Sequence, residues 1–329
     1  MDSAEDVIIV GGGIAGLAAA IALRQRGVAA LVLEQATELR EIGAGLLLAP
    51  NACAVLERLG ALPSLLSGHS LPVQKWELLD WKGRSLSALT IPKVGEFSIS
   101  TRRCDLQWSL WPGREPRYCG YVGWRGLVDI VPNGWEGGRV SESWGRGRRF
   151  GIATVGDGRT YWYASANVPR SHCHERVTLA QLRRDFAQWH HPVTEILDAM
   201  PEEGLLQHPI SDRRPSRHWQ LKEKAVLLGD AAHSLTPNLG QGAAMALEDA
   251  WELAVQWGRP DAMARFEDRR RLRLQSLWAL SRWLGVMIQW ENPLLCQLRN
   301  AQMRAIPNAL STNMMRRFLR YLPGEAVDS

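Results

Sequence analysis

The chain has 329 residues, 46% of them hydrophobic, which is enough to bury a full core in one large domain or two smaller ones. Its formal net charge of +5 at pH 7 is scattered, apart from "EDRRRLRLQ" at 267–275. On a helix that run solvates an outer face, which argues against a nucleic-acid partner, and a mild positive field suits an anionic substrate or a phosphorylated cofactor. Five cysteines (Cys53, Cys104, Cys119, Cys173, Cys296) form no CxxC pair, and the N-terminus lacks a charged-then-apolar signal pattern, so a reducing cytoplasm is expected.

Along the chain, "DVIIVGGGIAGLAAAIALRQRG" is an apolar strand, a glycine turn and an Ala/Leu helix closed by Gly27, and "AALVLEQ" supplies a second strand. Together they predict a βαβ unit. A short helix is expected over 51–59, a hairpin turning at Lys82-Gly83 within 73–91, and a helix over 103–110. From 117 to 168 apolar and polar residues alternate with many glycines and aromatics, which predicts antiparallel sheet. Helical periodicity resumes over 178–200, "KAVLLGDAAH" reads as a buried strand over 225–229, and nearly everything from 242 to 322 reads as helix. His172-Cys173-His174 has no second ligand cluster and reads as a loop, so no metal is expected. The Trp-rich run "LWALSRWLGVMIQW" at 277–290 is too short to span a bilayer, is broken by Arg282, and reads as an amphipathic core helix.

Gly11-Gly12-Gly13-Ile14-Ala15-Gly16 satisfies GxGxxG between a strand and a helix, where free backbone N–H groups and the positive helix end can meet a pyrophosphate. Glu34 closes the second strand at about the ~20-residue spacing needed to accept hydrogen bonds from a ribose. This pattern does not separate FAD from NAD. The stretch "LLGDAAHSLTPNLGQGAAMALEDA" at 227–250 does more. Asp230 follows an apolar strand and is placed to accept from a polyol chain, while Gly240-Gln241-Gly242 opens a helix whose N–H groups suit the N1–C2=O edge of a reduced flavin.

Gly11 to Gly16, "REIGAGLLLAPNACAVLERLG", Arg103 with Leu106, "YCGYVGWRG", "WGRGRRFG" with "YWYA", and "GDAAHSLTPNLGQGAAMALEDA" resemble the FAD-dependent aromatic hydroxylases of the para-hydroxybenzoate hydroxylase type, the group A flavoprotein monooxygenases. The resemblance runs from about residue 5 to the last helices. It implies an α/β fold: a glutathione-reductase-type FAD-binding Rossmann domain (1–70, 101–111 and 222–260), an antiparallel β-sheet substrate domain (71–100 and 112–221) and C-terminal helices (261–329). By the same resemblance Glu34 holds the adenosine ribose, Arg103 sits near the pyrophosphate, and Asp230 binds the ribityl chain. Pro237, Gly240, Gly242 and Ala243 line the isoalloxazine, and Arg40 and Gly45 also contact the cofactor. NADH or NADPH reduces the flavin, O2 adds at its C4a, and the hydroperoxide passes oxygen to a small aromatic or heteroaromatic ring in a dry pocket. Leu46, Leu47, Leu48, Tyr121, Trp124, Arg125 and Trp162 are pocket candidates, each of which could equally be sheet core. His233 is expected to support its loop rather than transfer protons. A monomer or homodimer is expected.

The chain departs from that family at one place. Between the helix carrying Arg103 and the strand at 117, the family has several tens of residues, including a small β-meander and a strand ending in Ala-Asp-Gly. Here "WPGRE" (111–115) stands instead, and Asp157-Gly158 reads as a hairpin turn. The resemblance implies, through the family's sheet order, that the parallel sheet lacks a strand between the Gly11 strand and the 225–229 strand. Either those two close up, narrowing the pocket by about one strand spacing of ~4.8 Å, or backbone groups lose partners at about 1–3 kcal/mol each. Two readings follow: a working monooxygenase, or an internally deleted member that binds FAD weakly and does not turn over. An epoxidase or oxidase on the same scaffold is a third.

Overall fold

A computed structural model of the chain describes residues 7–34, 48–66, 73–94, 117–136, 138–215, 218–221, 225–307, 310 and 319. The expected helix over 103–110, the 111–115 junction and the candidates Arg40, Gly45, Leu46, Leu47 and Arg103 lie outside them.

The N-terminal unit is β1 (Val7–Val10), α1 (Ile14–Arg24) and β2 (Ala30–Leu33), with the strands parallel and Val7 opposite Ala30. The turn into β2 is made by Gly27 at φ 78°, a left-handed conformation that suits a residue without Cβ. Then come α2 (Pro50–Arg58) and α3 (Leu62–Leu66). Ala18, Ala19, Ala22 and Leu23 of α1 and Ala52 and Val55 of α2 share one core with Ala244, Leu247, Ala250 and Leu253 of α6 (Gly242–Gln256). The small side chains let these helices approach closely.

A second body is a seven-stranded sheet in the order β4-β3-β6-β7-β8-β5-β9. Its strands are β3 (Val73–Asp80), β4 (Ser85–Val94), β5 (Arg117–Val128), β6 (Arg139–Trp144), β7 (Arg148–Thr154), β8 (Thr160–Asn167) and β9 (Leu206–Asp212). All neighbours are antiparallel except β3 and β6, which run parallel. The hairpins turn where expected, at Gly83 (φ 80°) and at Asp157-Gly158 (φ 61° and 69°).

Helices α4 (Leu179–Phe186) and α5 (Val193–Ala199) cover one face of this sheet, α4 starting at a Thr178–Gln181 capping box. The alternation of the strands decides what they cover. Val122, Trp124, Phe150, Ile152, Trp162 and Ala164 point into the core with Leu179, Leu182, Phe186 and Ile196. Phe150 stacks on Trp162 at 5.4 Å between centroids.

The third element is α7 (Ala262–Ile288), followed by α8 (Pro293–Ala305). Phe266, Leu274 and Leu277 of α7 belong to the core of the N-terminal unit, whereas Met287 and Ile288 pack with Leu86 and Trp144 of the sheet. No described helix is long and apolar enough to cross a membrane.

Two expectations are corrected. The expected strand over 225–229 shortens to β11 (Ala225–Val226), paired only with β10 (Gln220–Leu221) among the described residues, and a 3-10 turn begins at Gly229. β1 and β11 have not closed up, so beyond Val226 the segment has no ladder to join. The basic run at 267–275 does not solvate an outer face throughout, because α6 presents Glu248, Asp249 and Glu252 to it. Arg270 is fully buried between Glu248 (2.6 Å) and Asp249 (2.7 Å), Arg273 reaches Glu248 at 2.8 Å, and Arg269 meets Glu252 at 2.5 Å.

Candidate active site

The two glycine motifs meet. Gly229, at φ 57°, lies so close to both helices that a Cβ there would sit 3.1 Å from Ala15 Cβ and 3.2 Å from Ala246 Cβ. Asp230, the next residue, is exposed beside the glycine turn. A Cβ on Gly16 would fall on the Gly11 carbonyl oxygen, so the turn can be made only with glycine. Gly13 caps α1 without a side-chain bond, and Gln241 caps α6 likewise. Both helix starts therefore direct backbone N–H groups outward, the donor set that a pyrophosphate and a flavin C2=O edge require. Glu34 accepts from Gly12 N at 2.8 Å, folding back over the turn. Gly240 adopts φ 61°, Gly242 has open space where a Cβ would be, and Pro237 is exposed. The donors, the carboxylates and the clear backbone fit FAD. Leu48, next in sequence to the candidates Leu46 and Leu47, is buried in the helix core.

Buried polar groups hold this loop. Asp249 accepts from the Gly229 amide (2.9 Å), from Arg270 Nε (2.7 Å) and from His233 Nε2 (2.6 Å). His233 is buried, which suits loop support. Asn51 of α2 donates to Gln241 Oε1 (3.0 Å) and Glu248 Oε1 (2.6 Å), tying α2 to the start of α6. Sequence reasoning missed Asn51 because its partners are 190 and 197 residues away.

The loop then touches the sheet. Asn238, between Pro237 and Gly240, donates to Tyr121 Oη at 3.1 Å. Tyr121 opens the sheet face opposite α4 and α5, which also carries Arg125, Arg149, Glu142, Tyr161, Tyr163 and Ser165 in cross-strand register. The Tyr163 ring lies flat over Gly151, where a Cβ would overlap it. Burial opposes charge on Arg149, but Glu142, at 3.6 Å, together with Tyr121, Tyr163 and Tyr161 outweighs it and keeps the guanidinium protonated. Burial, and then Glu142, push the Tyr163 hydroxyl well above the ordinary range, so it stays neutral and donates to Glu142. Arg149 Nε donates to Ser165 Oγ (3.1 Å), which also accepts from Gln289 Nε2 (2.7 Å). Three polar atoms in this cluster are buried without a hydrogen-bond partner: Arg125 Nε, Arg149 Nη1 and Gln289 Oε1.

Of the pocket candidates, then, Tyr121 and Arg125 share the polar face, while Trp124 and Trp162 are on the reverse face under the helices. The signal that could have separated them is the alternation itself. "YWYA" interleaves Tyr161 and Tyr163 with Trp162, and the amphipathic helix at 179–186 requires the apolar set. Elsewhere, Cys173 is buried in the helix-covered core with His172 and His174 exposed, and no described His/Cys/Asp/Glu group could hold a metal.

A glycine-turn βαβ unit joined to a large antiparallel sheet, with a second glycine motif where the two meet, is the architecture of a flavin-dependent oxidoreductase. Comparisons with known proteins are more specific. Residues 9–40 match the NAD(P)-binding Rossmann-like domain. The chain is 32% identical to the aurachin C monooxygenase/isomerase of Stigmatella aurantiaca, across 96% of this chain and 98% of that one. It is 31% identical to the 2-heptyl-3-hydroxy-4(1H)-quinolone synthase of Pseudomonas aeruginosa, across 92% and 94%. The Klebsiella pneumoniae HpxO structure with FAD and uric acid superposes with a TM-score of 0.83 at 22% identity, covering 97% of each chain. The chain belongs to the FAD-dependent aromatic hydroxylases, the group A flavoprotein monooxygenases. It is an oxidoreductase of the FAD-dependent monooxygenase class.

The alignments also measure what is missing. The 379 positions aligned with the Stigmatella enzyme take in 96% of 329 residues, about 316, so about 63 positions inside the alignment have no residue in this chain. The same subtraction for the Pseudomonas enzyme (368 positions, 92%, about 303 residues) leaves about 65.

Proposed function

We propose that the chain carries the working parts of a single-component monooxygenase that hydroxylates a small aromatic or heteroaromatic ring in the cytoplasm, with NADH or NADPH as reductant and O2 as co-substrate. The observation that carries this reading is the Tyr121–Asn238 contact, which sets the flavin loop against a sheet face where Arg125 Nε, Gln289 Oε1 and Arg149 Nη1, the last ion-paired to Glu142 at 3.6 Å, make no hydrogen bond. Buried polar atoms in folded proteins are nearly always paired, so atoms left open beside a site are matched to a ligand. Arg125 Nε and Arg149 Nη1 suit a ring carbonyl or oxyanion, and Gln289 Oε1 suits a ring N–H or hydroxyl. Bound FAD supplies the two-electron reduction and the activation of oxygen. Around it, Gly11, Gly13, Ile14, Ala15 and Gly16 would receive the pyrophosphate, Glu34 the adenosine ribose and Asp230 the ribityl chain. Pro237, Gly240, Gly242 and Ala243 would border the flavin ring. Tyr121 and Arg149 would orient the substrate, and Leu127 with the tyrosine rings would help exclude water.

A second reading is favoured by a specific observation. β1 has only β2 beside it among the described residues, β11 is two residues long, and relatives have about 63 more positions. On this reading the chain is an internally shortened member that binds FAD weakly and does not turn over. The flavin content of the purified chain separates the two. Visible flavin absorbance, with NAD(P)H consumption and a ring-hydroxylated product from a panel of phenolic and N-heterocyclic acids, supports the first. A colourless preparation that FAD does not restore refutes it. NAD(P)H oxidation with no hydroxylated product would instead mark an oxidase or epoxidase.

A further inference from the structure

Two cavities adjoin at one end of the seven-stranded sheet, around the turn at 145–147 between β6 and β7. The larger, of about 480 Å3, lies between that turn and the end of α4, and the smaller, of about 180 Å3, lies between the turn and α8. Both are bordered by Trp81, Gly145 and Arg146, so they form one groove. It gathers six cationic side chains and two carboxylates, in a chain whose formal net charge is only +5. Both carboxylates are engaged: Arg84 meets Asp80 at 2.7 Å and Arg148 meets Asp185 at 3.4 Å. Lys82, Arg146, Arg184 and Arg299 have no carboxylate partner among the described residues.

Arg299 shows the imbalance most clearly. It is fully buried, borders the smaller cavity, and donates only to neutral acceptors. These are the carbonyls of Ile288 (2.9 Å), Met287 (3.4 Å) and Gly145 (3.1 Å), and Asn300 Oδ1 (3.0 Å). A guanidinium carries five N–H donors, so one is left without an acceptor. The carbonyl end of α7 offsets part of the charge. Burial still pushes the Arg299 pKa down, because a buried cation without a counter-charge is costly. The larger cavity adds flat aromatic walls. The Trp189 ring lies over Gly145, where a Cβ would come within 2.8 Å of it, and the Trp81 backbone is bonded to Trp144 and to His190 at 3.1 and 3.3 Å.

We propose that this groove binds a purine nucleotide, with the ring in the larger cavity against Trp81 or Trp189 and the phosphates reaching past Arg146 to Lys82 and Arg299 in the smaller. Aromatic faces accept stacked bases, and cationic forks match phosphate oxygens. The volume is that of a small-molecule site and does not suit a strand of nucleic acid. Gly147 O accepts from Asn167 N, and Asn167 stands opposite Tyr121, which touches Asn238 of the flavin loop. The turn therefore stands about two strand spacings, roughly 10 Å, from that contact. One chemistry then has two sources, a free nucleotide or the nucleotide end of NAD(P)H. The site itself requires neither bound flavin nor turnover, so it stands apart from both functional readings.

The test is equilibrium dialysis of the full chain, in excess FAD so that the glycine turn is occupied, against ADP, adenosine, pyrophosphate and an oligoadenylate. ADP is expected to bind at least about tenfold tighter than adenosine or pyrophosphate, since each of these carries half of the recognised chemistry. A double variant, Arg146→Glu with Lys82→Gln, is expected to weaken ADP by more than about tenfold. Both side chains are exposed, so the variant should match the wild-type circular dichroism and FAD affinity. No ADP binding, equal binding in wild type and variant, pyrophosphate bound as tightly as ADP, or the oligoadenylate bound more tightly than ADP each overturns the proposal. NADPH is titrated against the same two proteins. If the variant weakens NADPH as it weakens ADP, the source is the reductant; if only ADP responds, it is a free nucleotide. Flavin content is read separately on the same samples. ADP binding without flavin upholds the groove and counts against the functional reading, and flavin with no ADP binding does the reverse.

Discussion

Arg270 of α7 donates to Asp249 of α6 at 2.7 Å, with both side chains sealed from solvent. The loop that follows β11 is held by this pair, because the same carboxylate accepts from Gly229 and His233.

Arg270→Met should therefore destabilise the chain strongly. Removing one partner of a buried ion pair costs about 3–5 kcal/mol because a charge is left uncompensated. Arg273 still serves Glu248 and His233 still serves Asp249, so the loss should fall near the lower end. Urea unfolding followed by circular dichroism measures it. A change under 1 kcal/mol, roughly the scale of an exposed pair, would contradict the assignment.

The network also sets an acid limit. Burial pushes the Asp249 carboxyl up, but His233 and Arg270 outweigh it and hold the group below its ordinary range. A folded-state value below the unfolded one means the stabilisation is complete above the unfolded carboxylate range and is lost as pH falls through the folded value. Wild type should lose stability on acidification between about pH 5 and about pH 2, and Asp249→Asn should flatten that part of the curve. Unfolding midpoints measured in this window give the comparison.

Gly229→Ala should be costly at a site with no bulky side chain. The left-handed conformation alone costs a residue with Cβ about 1–2 kcal/mol, and the new methyl must press on Ala15 and Ala246. Because those contacts join the two glycine motifs, FAD affinity should fall along with stability. Fluorescence titration of the variant with FAD follows the first, and thermal melting the second.

Trp162→Ala should behave as a core deletion. Large aromatic truncations in cores cost about 3–5 kcal/mol, and Trp162 is stacked on Phe150 beneath the helices. In contrast, Tyr121→Phe removes only the hydroxyl that donates to Asn238 Oδ1 (3.3 Å) and accepts from Asn238 Nδ2 (3.1 Å), at about 1 kcal/mol for each bond. Differential scanning fluorimetry on both variants should show a large and a small shift. The opposite order would place the pocket on the wrong face.

Local patterns were legible in the sequence. "VIIVGGGIAG" carried its strand, turn and helix within ten residues, and "GDAAHSLTPNLGQG" carried its loop, because neighbours along the chain determine these conformations. The parallel pairing of β3 with β6, the inward turn of Arg270 and the role of Asn51 depend on residues far apart in sequence. No local pattern announces them. The alternation of "YWYA" showed that Tyr161 and Trp162 face apart, but only the placement of α4 showed which side is covered. The absent Ala-Asp-Gly motif was legible in the sequence, and among the described residues Ile8 and Leu31 are exposed.

α7 has a consequence for how the molecule comes apart. At 27 residues it is about 40 Å long at 1.5 Å per residue. One end is rooted with Phe266 and Leu274 in the helix core, and the other with Met287 and Ile288 against Trp144 of the sheet. Neither body can shed its share of the helix without stripping apolar surface from the other. The two should melt in a single cooperative transition, with calorimetric and van't Hoff enthalpies in agreement.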